Sequence, residues 1–151
     1  MSRSEVSLLL PMTEDAADIM RAATKIADRA GQPYVGTVHI TLAMIRQGRG
    51  SGYEVLKTHC TDLKALDAEL EYFVNTSQVP ESDDVLTYPP KTALAIKRAL
   101  DYATGQTHSH LRSAHVLLGI LEEGTGAAVG LLRARGITLA AARDLIVNKL
   151  Q

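Results

Sequence analysis

The 151-residue sequence is poor in the features that mark export, membrane insertion or nucleic-acid binding. Its one cysteine, Cys60, cannot form an internal disulfide, so an oxidising compartment is not required. The 16 basic and 17 acidic residues give a net charge of −1, without the basic excess of a dedicated nucleic-acid binder. The longest early apolar run, from Leu8 to Met12, contains Pro11 and is too short for a signal peptide or a membrane span. We therefore expect a soluble, cytoplasmic domain with neither nucleic acid nor membrane as a partner.

Strand signals are also scarce, because aromatic residues make up 4% of the chain and no stretch sustains an apolar–polar alternation. Apolar residues instead recur at helical spacing between turn glycines. The first such segment begins at Thr13, a good N-cap, continues through Glu14 and Asp15, and stops at Gly31. The same criteria predict an all-α fold of about eight helices, near residues 13–30, 37–47, 52–58, 62–74, 91–104, 113–123, 127–135 and 138–150.

The second half of the sequence repeats the first. A shift of 76 residues superposes His39 on His115 without a gap, and it also superposes the turn glycines Gly48 on Gly124 and Gly50 on Gly126. We expect two four-helix repeats, over residues 12–75 and 90–150, that pack as a compact pseudo-twofold pair in a single domain of residues 12–150. The polar, acidic, proline-containing stretch of residues 76–89 is predicted to be a linker, and residues 1–11 a tail.

The matched segments resemble a known repeat. Residues 34–56 read YVGTVHITLAMIRQGRGSGYEVL and residues 110–132 read HLRSAHVLLGILEEGTGAAVGLL. Both resemble the Clp repeat, which forms the N-terminal domain of Clp (Hsp100) AAA+ unfoldases such as the ClpA and ClpC types. In that pattern, Met12-Thr13 and Tyr88-Pro89 stand at the aromatic-Thr-Pro helix start, and residues 60–63 and 136–139 stand at the terminal G-V-D-L helix. The resemblance covers residues 12–150 in both copies.

The resemblance implies a binding module rather than an enzyme. Domains of this family have no catalytic activity of their own; they bind protein substrates or adaptors above the ATPase ring, for unfolding and often for degradation by a ClpP-type protease. The chain has no phosphate-binding loop, since residues 124–130, GTGAAVG, lack the required Lys-Ser/Thr. We therefore expect a module without a cofactor, monomeric in isolation, that belongs to a Clp ATPase or acts as a free-standing regulator.

The positions that differ from the family concern its phosphoarginine site. In ClpC-type domains a helix-start Thr holds the phosphate and the Glu of G-T-E-H holds the guanidinium. These positions are Thr13, Val38, Pro89 and Ala114 here, so only the first Thr remains and both carboxylates are lost. We predict that phosphoarginine recognition is absent and that Val38 and Ala114 leave an apolar surface patch. The candidate protein-binding residues, by family position, are Met12, Thr13, Val38, Tyr88, Pro89 and Ala114.

Two other functions stay open from the residues themselves. A small enzyme could use Cys60 with the adjacent His59, and a metal could bind His108, His110 and His115, although H-x-H-x4-H matches no standard ligand spacing. We expect neither a catalytic nor a metal site, and we interpret His39 and His115 as structural residues near helix starts. The other alternative is a helical module whose only role is assembly.

Overall fold

In the computed structural model, which describes residues 11–77, 88–105 and 109–149, the described residues form eight α-helices and no strand. The helices are α1 (Glu14–Arg29), α2 (Thr37–Gln47), α3 (Ser51–His59), α4 (Leu63–Thr76), α5 (Pro90–Gly105), α6 (Ser113–Glu123), α7 (Ala127–Ala134) and α8 (Leu139–Lys149). The all-α prediction is thus confirmed. Within these residues no single helix is long and apolar enough to cross a membrane; α6 and α7 reach that length only together, with a bend of 102° between them.

Helix bounds agree with the sequence pattern to within one or two residues. The main differences lie beside the predicted linker, where α4 continues to Thr76 and α5 already begins at Pro90. Proline suits the first position of a helix because the N–H that it lacks has no partner there. Residues 1–10 of the predicted tail and residues 78–87 of the predicted linker lie outside the described residues.

The two equivalent helices α2 and α6 form the centre of the molecule. Every residue from Thr37 to Ile45 and from Ser113 to Leu121 is buried. A helix that is buried all round belongs to a core. Around this pair, α1 packs on α2 as α5 packs on α6, and α3 packs on α6 as α7 packs on α2. Each repeat therefore completes the core of the other.

Helices α5 and α6 approach each other unusually closely at Gly119. A Cβ atom at this position would collide with the carbonyl oxygen of Ala95 and lie 2.8 Å from the amide nitrogen of Ala99. Because only glycine leaves that space empty, the backbones of the two helices can pack directly together.

The histidines at equivalent positions cap the central helices. The His39 Nδ1 accepts a hydrogen bond from the Gly36 N–H at 2.8 Å, and the His115 Nδ1 accepts one from the Arg112 N–H at 2.9 Å. Both rings are buried, and each satisfies a backbone donor that has no partner in its helix. The structural interpretation of both histidines is confirmed.

Candidate functional site

An open, mostly apolar groove of about 560 Å³ runs between α4 and α7. Its walls are Ala68, Glu69, Tyr72, Phe73, Ala127, Gly130 and Leu131, which we call the apolar groove. Tyr72 is 71% exposed and Phe73 is 43% exposed. The third large exposed apolar side chain of the described residues, Leu94, is not a groove residue. Two adjacent exposed aromatics beside a concave apolar surface are typical of a binding site.

Local sequence explains why these aromatics face outward. Helix α4 begins at the N-cap Asp62, whose side chain accepts the Ala65 N–H at 3.1 Å. From there Leu66, Leu70 and Val74 form the buried stripe of the helix, at the spacing of one face. Tyr72 lies well off that stripe and Phe73 lies at its edge, so both rings reach the surface toward α7.

A second pocket of about 240 Å³ adjoins the groove and shares Phe73 and Ala127 with it. It lies at the starts of α2, α5 and α7, and Val38, Pro89 and Lys91 are among its walls. We call it the Lys91 pocket. The Lys91 Nζ lies close to Gly126, where a Cβ atom would be only 2.8 Å away from it. The site thus combines a long apolar surface with a cation at one end.

A buried chain of hydrogen bonds supports this end of the groove. The His39 ring faces the Gln32 Oε1 through Nε2 at 2.5 Å, and the Gln32 Nε2 donates to the Val74 carbonyl oxygen at 2.8 Å. Burial lowers the pKa of His39 to about 4, so the ring is neutral near pH 7. Since Nδ1 accepts a hydrogen bond, Nε2 carries the proton and donates it to Gln32. The start of α2 is therefore tied to the end of α4, next to Phe73.

The equivalent face of the other repeat is closed by its own hydrogen bonds. The Ser113 hydroxyl donates to the Asp15 carboxylate at 3.1 Å and accepts the Gly52 N–H at 2.8 Å. The Ser51 hydroxyl accepts the Ala114 N–H at 3.0 Å. We call this set the Asp15 network. The Ser51 and Ser113 hydroxyls and the Ala114 N–H are thus already bonded within the protein.

Five of the six residues predicted from family position separate into two groups. Val38, which is 9% exposed, and Pro89 line the Lys91 pocket, and Tyr88 packs half-buried against the core beside them. Met12 and Thr13 lie instead against Leu111: the Thr13 N–H donates to the Leu111 carbonyl oxygen at 3.0 Å. Each repeat's first helix start therefore lies beside the central helix of the other repeat.

One expectation about these residues is wrong. Ala114 is 1% exposed, so its methyl group belongs to the core and cannot form an apolar surface patch. The Asp15 network covers this position and occupies its amide N–H. The prediction treated the replaced glutamate as a surface position, and it did not foresee that Ser51 would close over it.

The groove residues Tyr72, Phe73 and Leu131 were not predicted from the sequence. One signal was present, because two of the six aromatic residues of the chain are adjacent in a helix, where one face cannot bury both of them. Nothing local, however, indicates that residues 127–131 lie opposite them.

The alternative catalytic and metal sites gain no support. Burial, the largest effect, raises the pKa of the Cys60 thiol although the nearby Arg135 lowers it, whereas a nucleophilic cysteine needs a lowered pKa. No three His, Cys, Asp or Glu residues in the described part of the chain are grouped to hold a metal ion. His108 of the proposed histidine cluster lies outside that part.

Comparison with known proteins agrees with the architecture. The profile of the Clp repeat (R) N-terminal domain matches twice, over residues 11–94 and 87–151. The negative regulator of genetic competence ClpC/MecB of Bacillus subtilis (strain 168) is 30% identical over 138 residues, which are 91% of this chain and 17% of that protein. The chain thus spans less than a fifth of the length of this curated relative.

Solved structures share the fold. The Hsp104 N-terminal domain from Candida albicans superposes with a TM-score of 0.76 at 14% identity, covering 93% of both chains. A structure that includes a peptide from the EAEC T6SS Sci1 SciI protein superposes with a TM-score of 0.76 at 15% identity, covering 96% of this chain and 91% of that chain. With two profile matches that together reach from residue 11 to residue 151, this chain belongs to the Clp repeat N-terminal domain family.

Proposed function

We propose that this domain is a non-catalytic protein-binding module that docks substrates or adaptor proteins for a Clp-type AAA+ unfoldase, and that it does so through the apolar groove. The observation that carries the proposal is the exposure of Tyr72 and Phe73 on the wall of that groove. Aromatic side chains are strong anchors at interfaces, since they bury a large area and lose little conformational freedom.

The relatives support this assignment. Domains of this family serve as binding modules, and one similar solved structure includes a peptide from the SciI protein. The groove has room for several side chains of an extended or helical segment, which is how such grooves bind peptides. The domain would act in the cytoplasm, as one part of a Clp ATPase or as a separate regulator that works beside the ATPase and a ClpP-type protease.

The six family positions have distinct roles in this proposal. Val38 and Pro89 contact the bound segment, because both line the Lys91 pocket. Tyr88 packs against the core beside them, whereas Met12, Thr13 and Ala114 lie with the Asp15 network at the start of α6 and are not part of the groove. Phosphoarginine recognition stays predicted absent, since neither Val38 nor Ala114 offers a carboxylate for the guanidinium.

The proposal is tested by comparing three tagged forms of the domain as bait in a lysate of its own cells, with quantitative mass spectrometry. The forms are the wild type, Tyr72→Ser and the matched control Leu94→Ser, which changes an exposed apolar residue outside the groove. We expect a Clp ATPase, protease or adaptor with the wild type. Tyr72→Ser should recover at least about tenfold less of it, since an anchor residue at the centre of an interface contributes about 2 kcal/mol or more, and Leu94→Ser should recover the same amount as the wild type.

Equal recovery by all three baits would exclude the groove as the binding surface. Recovery of the domain alone, together with a dimer or larger species in light scattering, would favour the assembly alternative over the binding module.

A further inference from the structure

The two repeats carry opposite charges at one equivalent position. Asp15 stands in the first turn of α1, and a shift of 76 residues places Lys91 in the first turn of α5. The Asp15 carboxylate lies against Gly50, before α3, and the Lys91 ammonium lies against Gly126, before α7. The same place in the fold thus holds an anion on one face and a cation on the other.

Physical chemistry favours the anion at this place. The amide groups at a helix N-terminus carry a partial positive charge, which stabilises carboxylates and disfavours ammonium groups. Asp15 lies at such a terminus and accepts a hydrogen bond from Ser113. Lys91 faces the same kind of environment in its pocket, where the starts of α2, α5 and α7 meet. Among the described residues, no carboxylate pairs with it.

Among the residues that the structure describes, the walls around Lys91 offer no free carboxylate to pair with it. Glu69 is the other formally charged residue among the groove and pocket walls, and it is already paired with Arg135 at 2.7 Å. In the Asp15 network, the Ser51 hydroxyl accepts a hydrogen bond from the start of α6. The equivalent residue beside the Lys91 pocket is Ala127, whose side chain has no acceptor. The Lys91 pocket is therefore open and positive, and it is continuous with the apolar groove.

We infer that the segment bound in the apolar groove carries an aspartate or glutamate side chain, whose carboxylate pairs with Lys91 while the neighbouring apolar side chains pack on Tyr72, Phe73 and Leu131. The inference rests on the proposed function of the groove. A side-chain carboxylate is the chemistry that this fold already places at the equivalent position, in the form of Asp15. The partner thus supplies the acidic group that repeat 2 lacks.

The first test is selection of displayed random peptides on three forms of the domain. Wild type is expected to enrich peptides with an apolar cluster and an acidic residue at a constant distance from it. Lys91→Glu is expected to keep the apolar cluster and lose or reverse the acidic preference. Lys97→Glu, a charge reversal at an exposed position of α5 that is not a pocket residue, should select as the wild type does. Glutamate is well tolerated in a first helical turn, so Lys91→Glu should fold normally.

The second test measures one selected peptide, acetylated and amidated so that only its side chains are charged, by fluorescence anisotropy. Replacing its acidic residue by Gln should weaken binding to the wild type about two- to fivefold, which corresponds to about 0.4–1 kcal/mol for an exposed ion pair. The same replacement should change binding to Lys91→Glu little or strengthen it.

The possible results separate the two proposals. Peptides that bind the groove without any acidic preference, or with the same preference on Lys91→Glu, would overturn this inference and leave the proposed function intact. A wild-type domain that enriches no peptide, or peptides whose binding ignores Tyr72→Ser, would overturn the proposed function itself.

Discussion

At the scale of single residues, His39 is the side chain whose chemistry bears most directly on stability. It is 2% exposed, caps α2 through Nδ1 and reaches the end of α4 through Gln32. The hydrogen bond from Gly36 needs the neutral ring, since a proton on Nδ1 would face the Gly36 N–H. Burial lowers the pKa of the ring, and a proton on Nδ1 would also break this bond, so protonation of His39 opposes folding.

Acid should destabilise the domain through this residue. The unfolded chain takes up a proton on His39 near pH 6.5, and the folded chain does so only near its pKa of about 4. Between these values the unfolded state binds more protons, so the stabilisation present above pH 6.5 is lost as the pH falls, up to about 3 kcal/mol in all.

The variant His39→Gln should flatten this dependence, because a glutamine at the third helical position can still accept the Gly36 N–H without titrating. Urea unfolding of wild type, His39→Gln and the exposed His110→Gln control at about pH 7 and about pH 4.5 measures the difference. Parallel losses of stability in wild type and His39→Gln would contradict the assignment of the acid effect to His39.

A second prediction for a single residue concerns Gly119. Gly119→Ala should cost at least about 1–3 kcal/mol of unfolding free energy, because the added methyl group meets the backbone of α5. The helical Gly130→Ala, where nothing lies within 4 Å, should instead stabilise by about 0.5–1 kcal/mol. Denaturant midpoints of the two variants provide the test, and a neutral Gly119→Ala would show that α5 and α6 do not approach so closely.

At the scale of helices, the two repeats end their central helices alike but begin them differently. Helix α6 receives an acceptor from α3, since the Ser51 hydroxyl bonds to the Ala114 N–H. The start of α2 has Ala127 at the corresponding place of α7. One helix start is thus closed by a neighbouring helix, and the other opens into the Lys91 pocket.

Removing the Ser51 hydroxyl should measure what this closure contributes. Ser51→Ala should lower the unfolding free energy by about 1 kcal/mol, as loss of a helix cap does, because the Ala114 N–H loses its acceptor. On the same helix, the exposed Thr58 bonds to the Glu54 carbonyl oxygen, so Thr58→Ala should stay within about 0.5 kcal/mol of wild type. Equal unfolding midpoints for both variants would mean that Ser51 does not cap α6.

Helix positions were largely predictable from the sequence, and the reason is local. The 3.6-residue spacing of apolar residues, the caps Thr13 and Asp62 and the turn glycines Gly48 and Gly124 each act within a few residues of the helix that they delimit. The shift of 76 residues then indicated that the two halves have the same plan.

The groove was not predictable in the same way. It forms where residues 68–73 of repeat 1 meet residues 127–131 of repeat 2, and that contact depends on how the repeats pack together. The difference between its two ends depends on single exchanges between repeats, from Asp15 to Lys91 and from Ser51 to Ala127. The 76-residue spacing aligns these positions whatever residue occupies them. In the structure, Asp15 and Ser51 close one face with hydrogen bonds, and Lys91 and Ala127 leave the other face open.

At the scale of the whole molecule, differences between the two repeats leave one face open and close the other. The shared core of α2 and α6 holds both repeats in a single arrangement. The helix starts beside α2 and those beside α6 therefore form two equivalent faces. The Asp15 network closes one, and the apolar groove with the Lys91 pocket remains open on the other. Two similar repeats thereby leave one open face on the domain, which is the face that we propose as the binding surface.

The most direct test of the apolar groove as the binding surface is an NMR titration of the isotope-labelled domain with a peptide selected on it. Backbone amide signals of residues 68–73 and 127–131 should shift most, together with those beside Lys91, and the Tyr72→Ser variant should show small shifts at the same peptide concentration. If the amide signals of Met12, Thr13 and Ser113 shift most and those of the groove residues do not shift, the face between α4 and α7 is not the binding surface.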